Sequence, residues 1–348
     1  MVANGELPVS RTTRPAKWAV LPLIALLGVA CAGDDEPQAL ADEATPEPAT
    51  AVEDEPAGGE EGSTGEIVFV TASQPNDAFW NVVKRGAEDA GADLGVHVQY
   101  IGSETFDLTR MVQNMEAAIA SEPAGIVVPI YDISVLEAPI QKAIDAGIPV
   151  IEIGSAHQPR GTLATVGSDD YEAGKVAGER LAEMEVTEVL CVNHEPGNTG
   201  LEERCRGISD GAAPATVTQL GAPSTDPAAF QQSIAAAVNE NDQLDSIVTS
   251  GAAEAILALQ TITDSGNVDQ IALGTFDLSP EVLEAIDAGQ IAFALDQQQY
   301  LMGYLPVTYI YNYARYLVSP VGRVFTGPGV VTQETASRII ELSALGVR

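Results

Sequence analysis

From residue 66 onward the chain alternates short, almost wholly apolar runs with stretches whose apolar residues fall three and four apart. The runs IVFV (67–70), VHVQYI (96–101), GIVVPI (125–130), PVIEIG (149–154), TVGSD (165–169), EVLCVN (188–193), TVTQLG (216–221), SIVTSG (246–251), IALGTF (271–276) and IAFAL (291–295) read as strands. Between them the spacing is helical, as in Leu108, Met111, Val112, Met115 and Ile119. Gly91 and Gly95, Gly147 and Gly289 stand where helices close before the next strand. Strands apolar on both faces, separated by helices, demand parallel sheets covered on both sides. The fold class is therefore α/β. This many strands divide into two doubly wound sheets, each the centre of its own lobe, and about 280 residues suffice for two separate cores.

In sheets of this kind ligands bind beyond the carboxyl ends of the strands. The residues that stand there are polar or aromatic: Asp77, Phe79 and Trp80; Tyr131 and Asp132; Ser155 and His157; Asp169 and Asp170; Asn193, His194 and Glu195; Gly251; Asp277; Asp296, Gln297 and Gln298. The turn after the first strand, FVTASQPNDAFW, lacks the glycines of a phosphate loop. It offers a carboxylate beside two rings instead. Rings suit the C–H faces of a sugar, and carboxylates accept its hydroxyls while arginine donates in a planar fork.

Ahead of this region, Arg11, Arg14 and Lys17 precede the apolar run 18–30, which ends at Cys31. Thirteen residues are too few to span a bilayer, and basic-then-apolar-then-small is the layout of an export signal. The end, LGVAC, resembles a lipoprotein signal in which Cys31 takes the lipid, with ordinary secretion as the other reading. Residues 32–65 carry eleven acidic side chains and no basic one, so they read as a solvated, self-repelling tether. That segment supplies much of the formal net charge of −34, which argues against nucleic acid or an anionic membrane surface as partner. Beyond Cys31 the cysteines are Cys191 and Cys205. In an exported chain an even pair suggests a disulfide; two buried thiols remain open, and zinc would lack a fourth ligand.

Several longer stretches carry a family resemblance. GSDDYEAGKVAGERLAE, GLEERCRGISDG and ALGTFDLSPEVLEAIDAGQIAFALDQQQYLMGYLP resemble, in order and spacing, the sugar-binding proteins of bacterial ABC importers of the ribose and glucose/galactose type. The resemblance covers essentially residues 66–345. It implies a type I periplasmic binding protein fold: a first lobe of 66–168 plus 298–330, a second of 169–297 plus 331–348, and chain crossings near Ser168, Gln297 and Val330. It implies that Phe79 and Trp80 stack on a sugar face, that Asp77 and Asp277 accept hydroxyls from the two lobes, that Arg204 donates, and that Gln297 is an amide at the hinge. Where ribose binders have Asp-Arg this chain has Gly154-Ser155, and an Asn that contacts ribose falls at Gly251. The second-lobe aromatic falls near Thr225-Asp226, with Phe230 out of register. The pocket is thus rebuilt on that side, with Ser73, Ser155, Tyr131, His157, Asn198, Gly251 and Asp226 as further candidates, and a hexose or related polyol fits better than ribose. The implied partners are a monosaccharide, an ABC permease and its ATPase, with the chain a lipid-anchored monomer outside the cytoplasm; no cofactor or metal is called for.

Rival readings rest on less. GISDG (207–211) matches the esterase pattern Gly-x-Ser-x-Gly but falls within a helix instead of a strand-to-helix elbow. His97, His157 and His194 form no obvious triad and no metal motif appears. A transcription regulator of the same fold would need a basic helix-turn-helix in place of the acidic tether. A sensory receptor for a sugar or furanosyl signal would show the same binding residues. The tyrosine-rich run 300–318 reads as a late first-lobe helix.

Overall fold

The computed structural model describes residues 65–72, 77–154, 160–320, 322–343 and 345–347. The export signal, Cys31, nearly all of the acidic tether, Ser73, Ser155 and His157 lie outside the described residues. The elements run β1 (Ile67–Val70), α1 (Ala78–Leu94), β2 (Val98–Ile101), α2 (Leu108–Ala120), β3 (Gly125–Pro129), α3 (Ile133–Asp145), β4 (Val150–Gly154) and β5 (Ala164–Gly167). Then come α4 (Asp170–Glu183), β6 (Glu188–Asn193), α5 (Thr199–Gly211), β7 (Thr216–Gly221), α6 (Pro227–Glu240), β8 (Ser246–Thr249), α7 (Ala252–Asp264), β9 (Ala272–Phe276) and α8 (Pro280–Asp287). The chain continues through β10 (Phe293–Asp296), α9 (Gln299–Tyr316), β11 (Arg323–Phe325), β12 (Gly329–Val331) and α10 (Gln333–Ser343).

Two six-stranded sheets result, ordered β11-β5-β4-β3-β1-β2 and β12-β10-β9-β8-β6-β7. Every pairing is parallel except β10 with β12. Their central strands are buried along their whole length, as the near-continuous apolar runs require. The outermost strands β11 and β12 have three residues each, too short for an alternation or an apolar run to be visible in sequence. Because β11 pairs in the first sheet and β12 in the second, the third crossing falls at residues 326–328, earlier than the expected Val330, and Gly329 and Val330 belong with the second lobe.

One device recurs in both lobes. Helices α1 and α9 meet at Gly86 and Gly303, where a Cβ would collide with the carbonyls of Tyr300 and Val83. Helices α4 and α5 meet at Gly174, Gly178, Gly207 and Gly211, each against a backbone carbonyl of the partner helix. Small residues let helix axes approach until backbone touches backbone, and any added methyl forces them apart. The tyrosine-rich helix is α9, and its Tyr300 and Tyr304 hydroxyls donate to Asp89 (3.2 Å) and Asp93 (2.9 Å) on α1. Cys191 on β6 and Cys205 on α5 are joined by a disulfide, with Cα atoms 5.7 Å apart.

Two measurements follow from this packing. A methyl at Gly174 presses on the backbone of Arg204. Gly174→Ala is therefore expected to cost about 1–3 kcal/mol in a denaturant melt, and an unchanged midpoint would contradict the close α4–α5 packing. The intact mass of the oxidised chain should be two hydrogens below its reduced form. Replacing Cys191 and Cys205 together by Ser, which opens a link of sequence separation 14, should lower stability by about 3 kcal/mol.

Candidate functional site

The carboxyl ends of both sheets face one cleft with about 820 Å³ of empty space, its opening to solvent included. The first lobe contributes the start of α1. Asp77 is the N-cap of that helix, and its Oδ1 accepts from the Trp80 N–H at 3.2 Å. A carboxylate is needed there to satisfy a free helix donor. Phe79, Trp80 and Tyr131 line the same wall. The rings form an edge-to-face series: Phe79 to Trp80 at 4.9 Å, Trp80 to Tyr131 at 6.2 Å and Tyr131 to Phe106 at 5.1 Å. Only 8% of Trp80 is exposed, so it belongs largely to the first-lobe core. The sequence reading gave both rings to the ligand face; the half-buried Phe79 is the more open of the two.

In the second lobe everything turns on Arg204, which projects from α5 with 7% exposure. Its Nε donates to Asp170 Oδ1 at 2.7 Å, Nη1 to the Ser250 carbonyl at 3.3 Å and Nη2 to Gln297 Oε1 at 2.9 Å. The guanidinium also lies over the Phe276 ring, 4.5 Å from its centroid. Gln297 passes the polarity on: its Nε2 donates to Asp277 Oδ1 at 2.6 Å, which also accepts from Gln299 Nε2 at 3.2 Å. Asp277 sits at φ +69°, a left-handed turn that Asp tolerates and most side chains do not. Burial pushes its carboxyl up to about 7, against the opposing pull of Arg204 and Gln297. Burial also raises Asp77 and Glu195.

The cleft collects Asp77, Phe79, Trp80, Tyr131, Asn198, Arg204, Gly251, Asp277 and Gln297 along one lining. Asn198 caps α5, its Oδ1 accepting from the Gly200 N–H at 3.0 Å, and its Nδ2 donates to Glu195 at 2.8 Å. Asp226 is a correction. It is exposed and does not line the cleft; its carboxylate caps α6, accepting from the N–H groups of Ala228 and Ala229 at 3.0 and 3.1 Å. Phe230, one turn on, is a second-lobe core side chain. Gly251, Ala252, Ala253 and Leu278 give the second-lobe wall small and aliphatic side chains.

Glu254 was not anticipated. It stands three residues after Gly251, the N-cap of α7, and is 6% exposed while lining the cleft. The GAAE spacing, cap to third helical residue, is the signal that could have flagged it. Asp170, His194 and Glu195 lie just after strands, as the sequence placed them, but no role had been assigned to them. Across the mouth, the Tyr131 carbonyl of the first lobe accepts from the N–H and hydroxyl of Thr199 in the second, each at 2.8 Å. The structure is thus a closed one.

Comparison with known proteins agrees with this geometry. Residues 67–316 match the family described as periplasmic binding protein domain. The xylose/arabinose-binding protein XylF of Sulfolobus acidocaldarius is 30% identical over 274 residues, 72% of this chain; the match spans 66% of that relative's length. A carbohydrate transporter of Acidothermus cellulolyticus 11B, solved in complex with myo-inositol, superposes with a TM-score of 0.78 at 30% identity, over 82% of this chain and 99% of that one. A sugar-binding protein of a Bacillus halodurans ABC transporter gives 0.69 at 25% identity, over 78% and 99%. The family match runs through strands of both sheets, from β1 to β10, and takes in most of the residues that build the cleft. The chain belongs to the periplasmic binding protein domain family.

Proposed function

We propose that this chain is the extracytoplasmic solute-binding component of an ABC importer, which closes on a monosaccharide or related polyol and presents it to a permease. The observation that carries the reading is convergence. Asp77 and Phe79 from one lobe, Arg204 and Asp277 from the other and Gln297 from a crossing all line one cleft. A single ligand touching all of them has contacts only in the closed form, and those differential contacts drive closure. Sugar or polyol ligands in the relatives from Sulfolobus and Acidothermus support the ligand class. Asp77 and Asp277 are the hydroxyl acceptors of this reading, Arg204 a donor held ready by its protein partners, and Phe79 the ring for an apolar sugar face. The lipid anchor at Cys31 and the monomeric state belong to the same proposal.

The guanidinium of Arg204 is already paired with the buried Asp170. Arg204→Ala therefore strands a carboxylate and is expected to cost about 3–5 kcal/mol of stability along with binding. Asp77→Asn keeps an acceptor for the helix cap and is the cleaner probe. Calorimetry against a panel of monosaccharides and polyols should show its affinity reduced by about 1–3 kcal/mol with a near-normal melt. Small-angle scattering of the wild type at saturating ligand should show a smaller radius of gyration than without it. One unchanged radius, with binding established, would count against the clamp.

The empty cleft has a pH signature. Asp277 rises from 3.8 to about 7 on folding. A raised carboxyl stabilises the folded state below its unfolded pKa, and that contribution is lost as pH climbs through the folded value. Ligand-free protein should therefore melt at progressively lower temperature as pH is raised from about 4 to about 7, and Asp277→Asn should flatten the dependence. Equal slopes for the two proteins would remove Asp277 as its source.

A further inference from the structure

Gly251 has φ −160°, extended backbone that any residue adopts, so space alone is the reason for a glycine there. A Cβ would fall on the Glu254 carboxylate and lie 3.1 Å from the His194 ring. Glycine thus clears the volume into which Glu254 turns. That carboxylate is nine-tenths buried, lines the cleft, and accepts no hydrogen bond from any described residue. His194 Nδ1 lies 3.9 Å from it, beyond hydrogen-bond reach, and that nitrogen is itself buried without a partner. A hydroxyl placed between them satisfies both at once, donating to the carboxylate and accepting from the ring N–H.

Around this corner stand three further carboxyl groups. Asp77 has given one oxygen to the Trp80 N–H, Glu195 one to Asn198, and Asp277 one to Gln297 and Gln299. No described residue donates a hydrogen bond to the other oxygen of Glu195 or of Asp277. The donors run the opposite way. Three of the five N–H groups of Arg204 are tied to protein acceptors, and the amides of Asn198, Gln297 and Gln299 each turn an N–H onto a carboxylate. The Glu254 corner therefore asks for a ligand that donates a hydroxyl into it. An aldopyranose has one ring position, its oxygen, that only accepts. A cyclitol carries a hydroxyl on every ring carbon.

We propose that Glu254 and His194 form a hydroxyl-reading subsite opened by Gly251, and that the cleft selects a cyclitol over an aldopyranose. The proposal rests on the polyol-binding reading above and sharpens it. The test is calorimetry on the full chain with myo-inositol and scyllo-inositol against D-glucose, D-galactose, D-xylose and L-arabinose. At least one inositol should bind about tenfold more tightly than any of the four aldoses, the discrimination one buried hydrogen-bonding group supplies. Glu254→Gln keeps the shape but replaces an acceptor oxygen with a donor. It should weaken inositol binding about tenfold and narrow the preference, with the melting temperature showing that the fold is kept. An aldose that matches or beats both inositols overturns the selectivity while leaving sugar binding intact. Inositol affinity unchanged in Glu254→Gln removes Glu254 from the site. If none of the six compounds binds a folded wild type, the polyol reading fails and this proposal with it.

Discussion

The buried guanidinium of Arg204 is the constraint on which the second lobe's working edge depends. A charge with 7% exposure must be paired and hydrogen-bonded, because leaving it bare in the interior costs several kcal/mol. Its partners come from the start of α4, the segment after β8 and the crossing after β10, with the face of Phe276 beneath. One side chain therefore sets the relative positions of three strand ends. Its own height is set by backbone packing, since Gly174 touches the Arg204 carbonyl and any side chain there would displace it. Gln297 then does what no charged residue at that position would do. It accepts from the cation and donates to Asp277, so an Arg and a second Asp share the edge without competing directly.

The three crossings are laced into one hinge. The Thr326 N–H donates to the Gly167 carbonyl at 2.9 Å and its hydroxyl to the Gln297 carbonyl at 2.7 Å, so the third crossing is bonded to the other two. Opening must bend this region as a unit. Among the described residues, Thr199 gives two hydrogen bonds to one carbonyl across the mouth, and deeper in Gln299 of α9 donates to Asp277. Each contributes about 0.5–1.5 kcal/mol net. Contacts of this size leave a ligand's added contacts to decide the balance.

How far the sequence revealed this depends on what each residue does. Core strands were legible because burial on both faces leaves an apolar run that nothing else explains, as at Ile67–Val70 and Ser246–Thr249. Arg204, Asp277 and Gln297 were legible through the resemblance, which fixes positions relative to strand ends. The short strands β11 and β12 carry no periodicity, and with them the third crossing was misplaced. Asp226 was read as a ligand group because a helix cap and a binding carboxylate look alike in sequence; both stand just before a helix. Trp80 lines the cleft, but sequence could not show that the neighbouring rings of Phe79 and Tyr131 meet it edge-on and leave little of it exposed. Glu254 was missed for a related reason. It stands inside a helix, and only the geometry shows that the missing side chain at Gly251 lets it into the cleft.

Two acidic features of this chain have different physical consequences. The formal charge of −34 is spread over solvated side chains, many of them in residues 32–65, and salt screens such charges over about 10 Å. The carboxylates of the cleft are few, yet closure takes them out of water, where screening is weak and like charges oppose ionisation. Glu254 adds to the cost at Asp77, and Asp77 and Glu254 add to it at Glu195, with His194 opposing both. Each step of closing on an empty cleft therefore makes those groups more expensive to keep charged. Hydroxyls that donate to the same oxygens replace the water lost and reverse the sign of that term. Ligand and closure are thereby coupled through the desolvation of one set of carboxylates, and the coupling needs no mechanical linkage beyond the hinge.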